Sequence, residues 1–125
     1  MHHECGYAGR VDMIAKLKEF GWAVVDFKTQ KVKRGSKGEL KPRFYETWPL
    51  QLSAYQQAIL CNGTKNVSAL VSVVIDSGQP GPLHVARWTG TEYFKTFLGA
   101  YALWKFVKDY DPLDPAFNCP RPELN

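Results

Sequence analysis

The stretch VVDFKT, residues 24–29, decides the fold of this chain together with the earlier segment GRVD, residues 9–12. Each segment is apolar up to a carboxylate, which indicates two strands that lead to an acid. In a strand, residues two apart point to the same face, so Asp26 and Lys28 are predicted to project together while Phe27 points to the opposite layer. The short connection between the segments predicts a hairpin, which would place Asp12 beside this pair.

Two acids and one ammonium group at adjacent strand edges suit a hard divalent cation, because such ions prefer oxygen ligands. A cation held there would activate a water molecule and brace a phosphate. The structural alternative is that Asp26 and Lys28 form a surface ion pair of little energetic weight, with Asp12 as a turn residue.

Length and charge set the broad class. The 125 residues predict a single domain, and the 45% hydrophobic share is enough for a sizeable core. The formal charge of +4 favours an anionic partner only weakly. Over residues 30–44 we predict a mobile loop or an extended hairpin, which is either solvated chain or a salt-dependent contact for DNA backbone. The basic residues concentrate there: Lys31, Lys33, Arg34, Lys37, Lys41 and Arg43.

Cysteine use and hydropathy bear on the compartment. Cys5, Cys61 and Cys119 are scattered and form no CxxC pair, so the sequence favours neither zinc nor an iron–sulfur cluster. Three reduced thiols in a cytoplasmic protein are the expectation. No apolar run approaches the roughly 20 residues of a membrane span, and no secretory signal is recognisable, so no membrane contact is expected.

Hydrophobic periodicity predicts an α/β chain with a mixed sheet flanked by helices, in the order β-β-loop-α-β-β-α. Pro49 suits the first turn of one helix, and Gly63 supplies a left-handed end for it. Thr89 and Glu92 fit a capping box, as the N-cap and N3 residues of the second helix. The predicted strands are Tyr7–Leu17, Trp22–Thr29, Val67–Ile75 and Leu83–Trp88, and the predicted helices are Tyr45–Leu60 and Thr89 to near Tyr110.

Three short motifs occur in order: GRVD at 9–12, DFKT at 26–29 and QLSAY at 51–55. Together they resemble the late motifs of RecB-like nucleases of the PD-(D/E)XK superfamily. The spacing and flanks are most similar to the branch of phage and mitochondrial genome maintenance exonucleases. Each motif alone is weak, whereas the ordered set in its strand and helix contexts is strong. The resemblance implies a restriction-endonuclease-like nuclease core over residues 1–110, followed by an irregular tail over residues 111–125.

The resemblance also implies roles for the motif residues. Asp12 and Asp26 would ligate the metal, with the backbone carbonyl of Phe27 as a further ligand. Lys28 would position or activate the attacking water. The metal would be Mg²⁺, with Mn²⁺ as a substitute, and the partner would be DNA, at single- or double-stranded ends. The basic residues Lys31, Lys33 and Arg34 are candidates for further DNA contacts.

Gln51 and Tyr55 would form the family's QxxxY motif, which orients the site and contacts the DNA strand. Their i and i+4 spacing places them on one helix face. Tyr55 also lies on an apolar stripe, so a purely core role is an alternative for it. Gln51 does not fit a core role well.

The chain departs from the family pattern at its start, where no helix carrying the first motif precedes the GRVD segment. The chain is therefore expected to be a fragment, to be completed by a second chain, or to fold as a reduced domain. His2, His3 and Glu4 are weaker ligand candidates, and His3 and Glu4 are expected in the strand that enters the hairpin. His84 is expected to be a partly buried structural residue.

A sheet face left uncovered predicts self-association, because soluble monomers rarely expose large apolar patches.

The function predicted from these residues is that of a magnesium-dependent DNA exonuclease of phage-recombination or DNA-processing type, from a phage or a bacterium. One alternative is a catalytically incomplete nucleic-acid-binding remnant. The other is a subunit of a larger nuclease.

Overall fold

A computed structural model describes residues 2, 4–63 and 66–114. A four-stranded sheet forms its centre, in the order β1 (Met13–Leu17), β2 (Gly21–Gln30), β5 (Ala69–Asp76) and β6 (His84–Trp88). The two outer pairs are antiparallel, and the central pair of β2 and β5 is parallel. This confirms the mixed-sheet α/β prediction. The elements are β1 (Met13–Leu17), β2 (Gly21–Gln30), β3 (Lys33–Arg34), β4 (Leu40–Lys41), α1 (Trp48–Cys61), β5 (Ala69–Asp76), β6 (His84–Trp88) and α2 (Tyr93–Lys108).

The two strands of the central parallel pair are rich in valine and buried over most of their length. Their apolar side chains form one cluster on each face of the sheet. On one face, which we call the helix face, Val24 and Leu70 pack with Leu52 of α1. The connection from β2 to β5 therefore places α1 across the sheet, and α2 packs on α1.

The opposite face, which we call the open face, is built from Val25, Val71 and Val73, with Leu17 and Phe20 packed at its border. Met13, Phe27 and Val85 line the same face and remain partly exposed. No helix of the described residues packs on it. The sheet thus presents a second apolar layer that this part of the chain leaves uncovered.

The first strand is shorter than predicted. It begins at Met13 rather than Tyr7, so the prediction is wrong for residues 7–12. The reason lies at Gly9, where a Cβ atom would collide with the ring of Tyr55 on α1. The backbone at Gly9 therefore packs against α1 and does not extend β1. The Tyr7 hydroxyl fixes that course by donating to the Ala54 carbonyl at 2.6 Å, and burial raises the pKa of this phenol.

The second helix also begins later than predicted, at Tyr93, and its N-cap is Glu92 rather than Thr89. The predicted capping box is wrong, because no side chain caps this end. The Gly90 N–H donates to the Tyr93 hydroxyl at 3.1 Å, so the residues before the helix fold onto that ring. The helix ends at Lys108, with Asp109 in the left-handed region at φ 49°.

The basic segment forms the extended hairpin, one of its two predicted forms, through the pairing of β3 with β4. Gln30 closes the base of this hairpin with two hydrogen bonds to the backbone of Arg43, at 2.8 and 2.7 Å. The following helix starts at Trp48, three residues after the predicted Tyr45, with Pro49 in its first turn as predicted. Gly63, at φ 67°, provides the left-handed residue expected after this helix.

Of the predicted tail, residues 115–125 lie outside the described residues. Cys5 and Cys61 are free thiols, while Cys119 belongs to the part that is not described. Neither helix of the described residues has the length and hydropathy that a bilayer crossing requires.

Candidate active site

Asp26 lies in the middle of the sheet on the helix face. Its side chain is 5% exposed, and its Oδ1 accepts a hydrogen bond from the Ser72 hydroxyl at 2.8 Å. The second oxygen, Oδ2, is buried and receives no hydrogen bond from the described residues. It lies 3.2 Å from the Lys28 ammonium group, close enough for an ion pair but without hydrogen-bond geometry. The charge of Lys28, rather than a hydrogen bond, therefore compensates this oxygen within the described residues.

Lys28 projects to the same side as Asp26, as the strand periodicity predicted. Its side chain is 31% exposed, and its Nζ lies 3.5 Å from Gln51 Oε1 on α1. The ring of Trp48, at the start of the same helix, has its centroid 5.7 Å from the ammonium nitrogen. The lysine is thus held between a carboxylate, an amide and an aromatic ring, with its tip open to solvent.

Gln51 and Tyr55 share a helix face, as their spacing predicted. The Gln51 amide donates to the Tyr55 hydroxyl at 2.9 Å while its oxygen faces Lys28. The Tyr55 ring also packs against the core cluster of the helix face. Both roles considered for this tyrosine are therefore compatible with its position.

Asp12 is exposed and lies just before β1, beside the middle of β2. Its Oδ2 accepts a hydrogen bond from the backbone N–H of Phe27 at 3.0 Å. The N–H and C=O of one residue in a strand point to the same side, so the Phe27 carbonyl faces the edge where Asp12 lies. The Phe27 side chain turns to the open face, as predicted.

Two carboxylates and a backbone carbonyl are thus arranged around the Asp26–Phe27 peptide. Within the described residues, no group of three or more His, Cys, Asp or Glu side chains is placed to hold a metal. Magnesium nevertheless fits the donors present, because it retains several waters and takes only one or two carboxylates from the protein. Asp26 supports that fit, because its carboxylate is buried and only one of its two oxygens accepts a hydrogen bond within the described residues.

The predicted DNA-contacting residues Lys31, Lys33 and Arg34 line a separate groove, together with Asp76 and Gln79. That groove shares no lining residue with the cleft beside Gln51 and Tyr55. The structure places these basic side chains beyond the end of β2, away from Asp26.

Glu4 lies in an exposed turn between His2 and Tyr7, so its predicted place in a strand is wrong. His3 lies outside the described residues. His84 is half-buried on β6, as predicted.

Two residues of the site were missed from the sequence, Ser72 and Trp88. The Trp88 indole N–H donates to the Ser72 hydroxyl at 2.9 Å, and Ser72 in turn donates to Asp26. A signal was present, because Ser72 is a polar residue inside a valine-rich strand, and a buried hydroxyl requires a partner. The identity of that partner depends on strand register, which the motifs do not specify.

The fold and this site define a class of protein, a mixed-sheet α/β domain with an Asp-x-Lys strand beside a helix that carries Gln and Tyr four residues apart. A family model for the PD-(D/E)XK nuclease superfamily matches residues 3–98. The chain therefore belongs to the PD-(D/E)XK nuclease superfamily. Comparisons with curated proteins and with solved structures gave no significant match.

Proposed function

We propose that this protein is a magnesium-dependent DNA exonuclease that hydrolyses phosphodiester bonds at strand ends. Membership of the nuclease superfamily supports a nucleic-acid substrate. The resemblance of the three motifs to the RecB-like and phage-type branch supports DNA, digestion from an end, and a DNA-processing or phage-recombination context in a bacterial cytoplasm. The observation that carries the proposal is the buried Asp26 carboxylate, whose Oδ2 lies 3.2 Å from the Lys28 ammonium group on the same strand face.

In this proposal, Asp12, Asp26 and the Phe27 carbonyl would hold the cation, with Mn²⁺ able to replace Mg²⁺. A divalent ion bound there would supply an activated water and neutralise charge on the phosphate. Asp26 and the Phe27 carbonyl lie on β2, and the Phe27 N–H holds the Asp12 carboxylate beside them.

Lys28 orients the attacking water and stabilises negative charge on the phosphate, since an ammonium group keeps its charge and offers three donors. Gln51 accepts from Lys28 and so restricts where that ammonium group points. Tyr55 fixes the Gln51 amide through its hydroxyl. Gln51 and Tyr55 line the cleft where we place the DNA strand.

The test is cleavage of end-labelled DNA by wild type and Lys28→Ala. We expect the variant to lose activity by about 10²-fold or more, as for the loss of a transition-state charge stabiliser. Lys95→Ala, an exposed lysine of α2, is the matched control and should digest DNA at the wild-type rate. EDTA should stop the wild-type reaction. Digestion by Lys28→Ala at the wild-type rate would overturn the role of this lysine.

A second candidate function is supported by the absence, within the described residues, of a third acidic or histidine ligand. The same site would then bind DNA and metal without turnover, either as a remnant or as a subunit completed by another chain. Metal-dependent binding without product formation would select this alternative. Recovery of cleavage on addition of a co-purifying partner would select the subunit.

We further propose that a second copy of this chain covers the open face. That face is a continuous apolar surface in which Met13, Phe27 and Val85 remain exposed. Lys18 and Glu19 also line this surface, and a two-fold axis that passes beside them would set each charge against its opposite on the partner.

A further inference from the structure

A chain of hydrogen bonds crosses three adjacent strands on the helix face. It runs from the Trp88 indole on β6 to the Ser72 hydroxyl on β5, at 2.9 Å, and from that hydroxyl to Asp26 Oδ1 on β2, at 2.8 Å. Strand register produces this arrangement, since Ser72 lies directly opposite Asp26. Trp88 lies opposite Leu70, one diagonal step from Ser72. All three residues are therefore fixed by the sheet itself.

The direction of these hydrogen bonds is determined by chemistry. An indole N–H can only donate, so the Ser72 oxygen must accept from Trp88. A serine hydroxyl has one proton, and that proton is then directed at Asp26 Oδ1. The carboxylate is the acceptor of that proton, while the indole N–H occupies a lone pair of the Ser72 oxygen. The indole thus helps to hold the hydroxyl oxygen in place beside Asp26.

The surroundings prevent water from replacing this chain. Ser72 is 0% exposed, and Asp26 is 4% exposed. The Trp88 ring is held edge-on by Tyr93, the first residue of α2, and by Phe44. Its nitrogen therefore cannot turn away from Ser72 without disturbing two packed aromatic contacts.

We propose that Ser72 and Trp88 are positioning residues that hold Asp26 so that its Oδ2 faces the metal and Lys28. Because Oδ1 is committed to Ser72, rotation of the carboxylate would break a buried hydrogen bond. Groups that orient a metal ligand in this way usually contribute 10- to 100-fold in metal affinity, an order-of-magnitude range. The inference rests on the proposed function, in which Asp26 ligates the metal.

The test is direct titration of Mn²⁺ in the absence of DNA, followed by paramagnetic resonance of the free ion. We expect Ser72→Ala to weaken Mn²⁺ binding by roughly 10- to 100-fold relative to wild type. Trp88→Phe keeps an aromatic ring but removes the N–H donor. It should also weaken Mn²⁺ binding, by a smaller factor than Ser72→Ala. Ser68→Ala and Trp104→Phe are the matched controls, at an exposed serine and an exposed tryptophan outside the chain, and should bind as wild type does.

Cleavage measured against metal concentration separates positioning from a general structural role. Positioning predicts that excess Mn²⁺ restores the turnover of Ser72→Ala and Trp88→Phe, whereas misfolding would lower turnover at every metal concentration. Wild-type affinity in both variants would overturn this inference and leave the proposed function intact. If the wild-type protein itself does not bind Mn²⁺, this inference and the proposed function are both overturned. If Ser72→Ala does not fold, Trp88→Phe alone decides the outcome.

Discussion

At the scale of single residues, the site depends on one carboxylate whose two oxygens have different roles. Asp26 Oδ1 is held by Ser72, and Oδ2 is buried next to Lys28 without a hydrogen bond. The burial of Asp26 distinguishes this pair from an ordinary surface ion pair, because a buried carboxylate needs a cation beside it.

Tyr55 allows the core and site roles to be separated by experiment. Tyr55→Phe keeps the ring against the core and removes only the hydroxyl that accepts from Gln51. We expect DNA cleavage to fall by about tenfold, since loss of a hydrogen bond of ~1.4 kcal/mol leaves Gln51 and Lys28 less well oriented. Thermal stability, measured by circular dichroism, should change by only about 1 kcal/mol.

The control is Tyr101→Phe, which removes a hydroxyl that donates to the Gly6 carbonyl at 3.2 Å. This variant should lose a similar amount of unfolding free energy and should cleave DNA at the wild-type rate. Full activity in Tyr55→Phe would show that this tyrosine serves the core alone.

The periodicity of single strands and helices predicted which site residues share a face. It did not predict the hydrogen bonds between side chains on different strands. The period of two in a strand placed Asp26 with Lys28, and the period of a helix placed Gln51 with Tyr55. The hydrogen bonds from Trp88 to Ser72 and from Ser72 to Asp26 depend on residues 16 and 46 positions apart. No local pattern encodes such a pairing, because it follows from the register of three strands.

At the scale of elements, the β3–β4 hairpin carries basic side chains beyond the end of β2. Replacing Lys31, Lys33 and Arg34 by alanine should weaken DNA binding equally for all sequences. The slope of log affinity against log salt should fall by about 0.7 to 0.9 for each lost phosphate contact. The charge-matched control replaces three other exposed lysines, namely Lys16, Lys95 and Lys108. Equal slopes in the two triple variants would show that the hairpin is solvated chain.

Asp76 joins this hairpin to the turn between β5 and β6. The N–H of Gly78, at 2.8 Å, and that of Val32, at 3.3 Å, donate to its Oδ1. The Gly78 hydrogen bond is the largest cause of a pKa below the ordinary 3.8 for this carboxyl. Because the folded-state pKa is lowered, the stability that Asp76 contributes is present above its unfolded pKa and is lost as the pH falls through the folded value.

Asp76→Asn keeps an oxygen acceptor but removes this charge. Urea unfolding as a function of pH should therefore show wild type more stable than the variant above about pH 5, with the difference vanishing in acid. Glu46→Gln, at an exposed carboxylate, should show no such pH-dependent difference. A difference that is independent of pH would contradict this account of Asp76.

Element types were predicted correctly, while the starts of β1, α1 and α2 were each placed at least three residues too early. The central strands and both helices follow from valine-rich runs and from helical spacing of apolar residues. The early start predicted for β1 failed because the contact between Gly9 and Tyr55 draws the chain to α1. The capping box failed because Gly90 bonds to the Tyr93 hydroxyl, and such tertiary contacts override local end signals.

At the scale of the whole molecule, the sheet has one face covered by helices and one open. Sheets with a parallel core usually have both faces covered, which supports the proposal that a second copy of the chain covers the open face. Composition predicted a sizeable core, and the missing first helix of the family pattern predicted a sheet face left uncovered. Neither could show what covers the second face, because that depends on contacts outside the described residues.

Dimerisation through the open face is tested by light scattering. Wild type should have twice the 14.2 kDa mass of the chain, whereas Val85→Asp should be monomeric, because the new charge cannot be buried against another apolar face. Leu103→Asp is the matched control, since Leu103 is 63% exposed on α2 and Val85 is 54% exposed on the sheet. A wild type that remains monomeric at high concentration would contradict self-association.

The most direct measurement of the central claim is anomalous diffraction from crystals soaked in manganese. We predict a peak beside the Asp26–Phe27 peptide, within ligand distance of the Asp12 and Asp26 carboxylates, with Lys28 next to it. Crystals at high manganese concentration that show no peak there, with the three side chains pointing apart, would contradict the assignment of a metal-dependent nuclease site.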